Sequence, residues 1–198
     1  MVILEDVNNK LGKHEIKNSY FARYGIQVIR QRLPVGDYVL VNDKVQDVLD
    51  RKAKRGIPVK MMDLLGTYDV AIDSKNSISE LCQDICGKQH ERFRDECILA
   101  ANNNIKLFVM VENDEEVINA RKCIINKPIC QLSDLHKWVN PRLFKGARTA
   151  TRGITLQKAC YTMEKKYGCT FVFCRSDQAG SYIVTLLGGR DAKESYRR

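Results

Sequence analysis

Short apolar runs alternate with polar turns and helical stripes along most of this chain. Residues 2–4 (VIL), 27–32 (QVIRQR) and 37–41 (DYVLV) predict three strands, with a short helix at 18–24 and a turn at Pro34 and Gly36. The segment 42–67 breaks the rhythm. Its middle is basic, Gly56 and Pro58 interrupt it, and only MMDLL offers a helical turn or two, so it reads as an excursion from the sheet. Strand pattern resumes at 68–75 (YDVAIDSK). Ile78, Leu81, Cys82, Ile85 and Cys86 then fall at i, i+3, i+4, i+7 and i+8, the spacing of one buried helical stripe, and Ser77 with Glu80 fits a capping box at its start. A second helix spans about 89–103, ended by NNN before the apolar strand 105–111 (IKLFVMV). The last third predicts a helix at about 155–167, a strand at 170–174 and a helix at about 177–187. Strand, helix, strand in this order implies a right-handed crossover, so the expected fold is α/β: a mixed sheet flanked by helices, in a single domain over residues 1–198.

Composition narrows this. With 44% apolar residues, a 198-residue chain can bury a sizeable core. No run of 18 apolar residues occurs, and the opening MVILEDVNNKLGK has its charges after the apolar stretch, the reverse of an export signal. The expectation is a cytoplasmic protein without a membrane partner. Eight cysteines with no CxxC pair then read as reduced core thiols. Charge adds a partner class: 33 basic against 24 acidic residues give +9, which favours polyanions. The blocks RKAKRGIPVK (51–60) and RLFKGARTATR (142–152) contain no acid, and Lys52, Lys54 and Arg55 are the first candidates for phosphate contacts.

Candidate chemistry sits on the strand at 68–75. Alternation puts Val70, Ile72 and Ser74 on one face and Ala71, Asp73 and Lys75 on the other. A carboxylate beside an ammonium suits metal-dependent phosphodiester hydrolysis, where the acid holds Mg²⁺ and the lysine orients water or offsets charge on the phosphate. Mg²⁺ takes one or two carboxylates, and Asp37, which starts a strand after a turn, offers a second. Residue types alone leave a plainer reading open, with Asp37 a turn residue and Asp73 and Lys75 an exposed ion pair. Phe93 and Cys97, four apart, read as core, as does Trp138 in LHKWVNP. His90 reads as structural, and His14 and His136 belong to no recognisable constellation.

The longer arrangement resembles a known family. GDY at 36–38, then AIDSK at 71–75 and a helix, looks like the nuclease domain of XPF-type structure-specific endonucleases, a branch of the restriction-endonuclease-like fold. In that resemblance Asp37 matches the acid of the family's Gly-Asp, Asp73 its glutamate and Lys75 its lysine. Asp6, ending the ILED strand, is a further possible carboxylate. GKQHERFRDECILA followed by IKLFVMVEN is similar to phage and prophage members, the match being best over about 2–112, with 113–198 completing the same domain. The resemblance implies a DNA endonuclease using Mg²⁺ or Mn²⁺, with Asp37, Asp73 and Lys75 catalytic and Asp37, Asp73 and Asp6 on the metal. It also implies flapped or branched DNA as substrate, a homodimer, and a bacterial or phage-infected cell. This chain departs from the pattern at Ser74, where the family often has arginine, at Asp73 in place of glutamate, and in VNNK after Asp6. No tandem helix-hairpin-helix pattern follows, so DNA binding would fall to Lys52, Lys54 and Arg55, with Arg92 and Arg94 next. The alternative is a DNA-binding or protein-interaction module that keeps the fold without the chemistry.

Overall fold

The computed structural model of the protein describes residues 1–8 and 15–188; His14 lies outside them. In chain order the strands are β1 (Val2–Glu5), β2 (Gln27–Arg30), β3 (Tyr38–Leu40), β4 (Val70–Lys75), β5 (Lys106–Glu112), β6 (Glu116–Asn119), β7 (Ile124–Asn126) and β8 (Thr170–Cys174). The helices are α1 (Glu15–Arg23), α2 (Asp43–Lys54), α3 (Ile78–Cys86), α4 (His90–Asn102), α5 (Gly153–Tyr167) and α6 (Ala179–Gly188). Six strands form a mixed sheet in the order β2-β1-β3-β4-β5-β8, and β6 and β7 pair separately as a hairpin. The expected mixed α/β architecture is therefore present.

Two compact units make up the chain. The first holds Met1–Asp73, Leu99–Phe108 and the segment from Asp177 onward; the second holds Ser74–Ile98 and Val109–Ser176. In the first, β1 pairs parallel with β2 (Leu4 opposite Ile29) and antiparallel with β3 (Leu4 opposite Val39). Flanked on both sides, β1 buries Ile3 and Leu4 completely. Phe21 of α1 meets Tyr38 of β3 edge-on, with ring centroids 6.0 Å apart. Helix α6 packs on α1 at Gly180, where a Cβ would lie 2.7 Å from the Tyr20 ring.

In the second unit, the stripe predicted for α3 buries Ile78, Leu81, Cys82 and Ile85. Ser77 accepts from the Glu80 amide at 3.1 Å while the Glu80 carboxylate accepts from the Asn76 amide at 2.8 Å, so the two residues do start this helix. Trp138 is a packed anchor, 4% exposed, and Phe93 and Cys97 are core. All eight cysteines are unbridged, but Cys86, Cys123 and Cys130 are exposed, so the core-thiol expectation holds for only five.

Segment 42–67 corrects the sequence reading. It begins with a 12-residue helix, α2, capped by Asn42, whose side chain accepts from the Val45 amide at 2.9 Å. Only Val45 and Val48 of α2 are buried, and its last turn is basic, so its apolar period is too thin to stand out. MMDLL supplies one 3-10 turn, Met61–Leu64. Among the described residues no helix is long and apolar enough to cross a membrane.

Candidate active site

Three neighbouring strands bring acids to one end of the first unit's sheet. Asp6 follows β1, Asp37 precedes β3 and Asp73 lies in β4. A backbone relay joins them: the Asp6 amide donates to the Asp37 carbonyl at 2.8 Å, and the Asp37 amide donates to the Ile72 carbonyl at 2.7 Å. Tyr38 pairs with Ile72, which fixes the register immediately beside Asp37 and Asp73. Gly36 makes this approach possible. Its φ is +76°, and a Cβ there would lie 2.9 Å from the Ala71 Cβ and 3.1 Å from the Ile72 carbonyl oxygen. A side chain would clash in a left-handed conformation that already disfavours it. The sequence GDY is therefore a glycine that lets the chain close on β4, followed by the acid delivered there. Asp37 is half-buried and Asp73 is buried.

Asp6 spends its carboxylate locally. It accepts from the Asn8 side-chain amide at 3.0 Å and from the backbone amides of Asn8 and Leu33, each at 3.4 Å. These bonds tie the turn after β1 to the segment after β2. The adjacent Glu5, not singled out from sequence, accepts from the Tyr38 hydroxyl at 3.2 Å and faces Arg30 at 3.9 Å.

Lys75 ends β4 at the start of the second unit and is only 4% exposed. It is not an exposed ion-pair partner: its Nζ lies 2.7 Å from the Asp84 carboxylate of α3 and 5.2 Å from the Phe93 ring centroid of α4. Ser74, where the resembled family often has arginine, donates its hydroxyl to Glu112 at 3.3 Å. Glu112 ends β5 and is buried. Sequence reasoning passed over Asp84 and Glu112, although both left a signal. Asp84 is an acid among the buried residues of an amphipathic helix, and Glu112 is an acid closing an apolar strand, as Asp6 does for β1.

Asp37 and Asp73 offer hard oxygen donors at adjacent register positions, which fits Mg²⁺ or Mn²⁺ held by one or two carboxylates with water and phosphate oxygens completing the shell. Among the described residues no three acidic, histidine or cysteine side chains gather into a closed metal cage. Asp6 already spends its carboxylate on Asn8 and Leu33.

The predicted basic contacts divide. Lys54 and Arg55 are exposed, whereas Lys52 Nζ is held 2.7 Å from Asp63, whose acidity this hydrogen bond increases. Arg51, not singled out before, lines a small cleft of about 180 Å³ together with Arg55 and Lys52. Arg92 is exposed on α4, while Arg94 pairs with Asp95 at 2.9 Å. His136 is structural, its Nδ1 lying 2.8 Å from the Ser133 carbonyl.

No curated protein matches. In fold the chain is similar to XPF from Aeropyrum pernix in complex with DNA, at 17% identity and a TM-score of 0.52, covering 94% of this chain and 63% of that one. It is also similar to XPF from Aeropyrum pernix without DNA, at 18% identity and a TM-score of 0.52, covering 100% of this chain and 66% of that one. The chain therefore spans 63% to 66% of the XPF chains it resembles. The ERCC4 domain model matches residues 7–186, and with nearly the whole chain matched, this protein belongs to the ERCC4 domain family.

Proposed function

We propose that the chain is a divalent-metal-dependent DNA endonuclease that prefers flapped or branched DNA. The observation that supports this reading is the relay from Asp6 through Asp37 to Ile72, which holds the Asp37 backbone against the residue immediately before Asp73. Asp37 and Asp73 would hold Mg²⁺ or Mn²⁺. When bound, the ion supplies Lewis-acid polarisation of the scissile phosphate. The buried setting of Asp73 leaves its charge little screened by bulk water, and Lys75 would carry the positive charge that offsets what develops on the phosphate or orients the attacking water. Arg51, Lys54 and Arg55 would grip the DNA backbone, with Arg92 a further contact. Hydrolysis leaving a 5′-phosphate, a homodimer, a place in the phage and prophage branch, a cytoplasmic setting and one nuclease domain over residues 1–198 all belong to this reading.

The test is cleavage of labelled linear, flapped and four-way DNA in Mg²⁺ or Mn²⁺ by the natural chain and by Asp37→Asn, Asp73→Asn and Lys75→Ala. Expected is metal-dependent cutting, strongest on one branched form and reduced about a hundredfold or more in each variant while DNA binding persists. A natural chain that binds DNA and cuts none of these substrates would sink the nuclease reading.

That failure would favour a second reading, a DNA-binding module without chemistry. One observation speaks for it: the Lys75 ammonium is already engaged by Asp84.

A further inference from the structure

Asp84 occupies a position that an amphipathic helix would ordinarily give to an apolar residue. It is 5% exposed on α3, between the buried residues Leu81, Cys82 and Ile85. A charge in such a place is retained only when it is paired, and replacing a buried ion pair by apolar residues is often neutral for stability or better. Stability alone therefore gives no strong reason for this pair.

What the pair does is hold one atom still. The lysine stem is long and flexible, yet Lys75 Nζ is bounded by a carboxylate oxygen of α3 at 2.7 Å and by the Phe93 ring of α4, whose centroid lies 5.2 Å away. The Lys75 and Asp84 side chains are 5% and 7% exposed, so little water screens their attraction. Ser77 and Glu80 cap the start of α3 and fix where Asp84 falls along it. Both capping residues and Asp84 thus serve the same end, a rigid helix presenting a carboxylate to the last residue of β4.

We infer that Asp84 is a positioning residue for the nuclease reaction, acting through Lys75 by fixing the place of its ammonium at the end of β4. The inference rests on the proposed function, because it assigns Lys75 a part in the chemistry. Asp84 touches neither metal nor phosphate. Its removal should lower turnover while leaving DNA affinity unchanged, and the loss should depend on Lys75 being present.

The experiment is a double-mutant cycle on the intact chain, reading single-turnover cleavage of the preferred branched DNA in Mg²⁺, DNA affinity in Ca²⁺, and the melting temperature. Asp84→Asn should slow cleavage by about tenfold to hundredfold with affinity changed by less than about twofold. Asp84→Glu should recover part of the rate. In a Lys75→Met background, Asp84→Asn should cost less than about threefold more, because there is no ammonium left to place. Asp84→Asn removes the charge of the carboxylate facing a buried ammonium and can fail to fold. The apolar pair Lys75→Met with Asp84→Leu guards against that, since it should melt near the natural chain and match Lys75→Met alone in residual cutting.

Cleavage by Asp84→Asn at the natural rate, or an equal loss with and without Lys75, would overturn the inference and leave the nuclease reading standing. A natural chain that cuts nothing overturns both, and that outcome is recognisable because it appears before any variant is compared.

Discussion

The amide of Asp37 donates to the carbonyl of Ile72 at 2.7 Å, which ties one acid's backbone to the residue immediately before another acid, Asp73. Neither side chain is needed for the tie. The spacing of the two carboxylates is thus set by sheet hydrogen bonding and by what precedes Asp37.

What precedes it is Gly36, so Gly36→Ala is the first prediction. The added methyl would meet the Ala71 Cβ at 2.9 Å in a backbone with φ of +76°, and β3 would have to draw back from β4. We expect a loss of about 1–3 kcal/mol in urea denaturation. Metal-dependent cleavage should fall further than the population unfolded can explain. An alanine variant as stable and active as the natural chain would show that the close approach does not set the site.

The second prediction concerns the basic turn of α2. Arg51 and Arg55 are exposed and one helical turn apart, while Lys52 is committed to Asp63 at 2.7 Å. Removing both arginines should reduce the slope of log K against log salt for DNA binding by about two, and Lys52→Ala should change it by less than one. A larger effect from Lys52 than from the arginines would mean that DNA breaks the Lys52–Asp63 pair on binding.

Much of this was legible in the sequence, and the exceptions have physical causes. Strand alternation and a Gly-Asp after a turn are local patterns, so Asp37, Asp73 and Lys75 could be nominated from sequence, their roles coming from the family resemblance. The relay from Asp6 to Asp37 to Ile72 could not, because strand pairing is decided by distant segments. Asp84 was overlooked because stripe analysis collects apolar positions and passes over the acid lying among them. Helix α2 escaped notice because a basic last turn, which favours a helix C-terminus, also reads as a solvated loop when only Val45 and Val48 mark the buried side.

The third prediction separates exposure from reactivity among the thiols. Cys86 is exposed, yet its thiol is pushed well above the ordinary range because it donates to the Cys82 sulfur and because partial burial disfavours its thiolate. Cys82, the acceptor, is lowered to about 7 by that bond, and the Thr151 hydroxyl and the Arg142 charge act in the same direction. Alkylation needs the thiolate. Iodoacetamide at pH 8, followed by peptide mass spectrometry, should therefore label Cys123 and Cys130 well before Cys86. In a Cys82→Ala variant, where the acceptor is gone, Cys86 should react faster. Prompt labelling of Cys86 in the natural chain would show that the two sulfurs do not share a proton.

The fourth prediction decides what Asp6 does. Position and resemblance both suggest a metal ligand, but its carboxylate already accepts from Asn8 and Leu33 and is only 8% exposed. If these bonds are its role, Asp6→Ala should destabilise the chain by about 1–3 kcal/mol, since it leaves the buried Leu33 amide without its charged acceptor and frees the turn at Asn8. The Mg²⁺ concentration that gives half-maximal cleavage should stay within about twofold of the natural value, because Asp37 and Asp73 are enough for an open Mg²⁺ site. Asp6→Asn keeps one acceptor oxygen and should recover part of the stability. A tenfold rise in the Mg²⁺ requirement with an unchanged melting temperature would instead make Asp6 a ligand, released from Asn8 and Leu33 when the metal arrives.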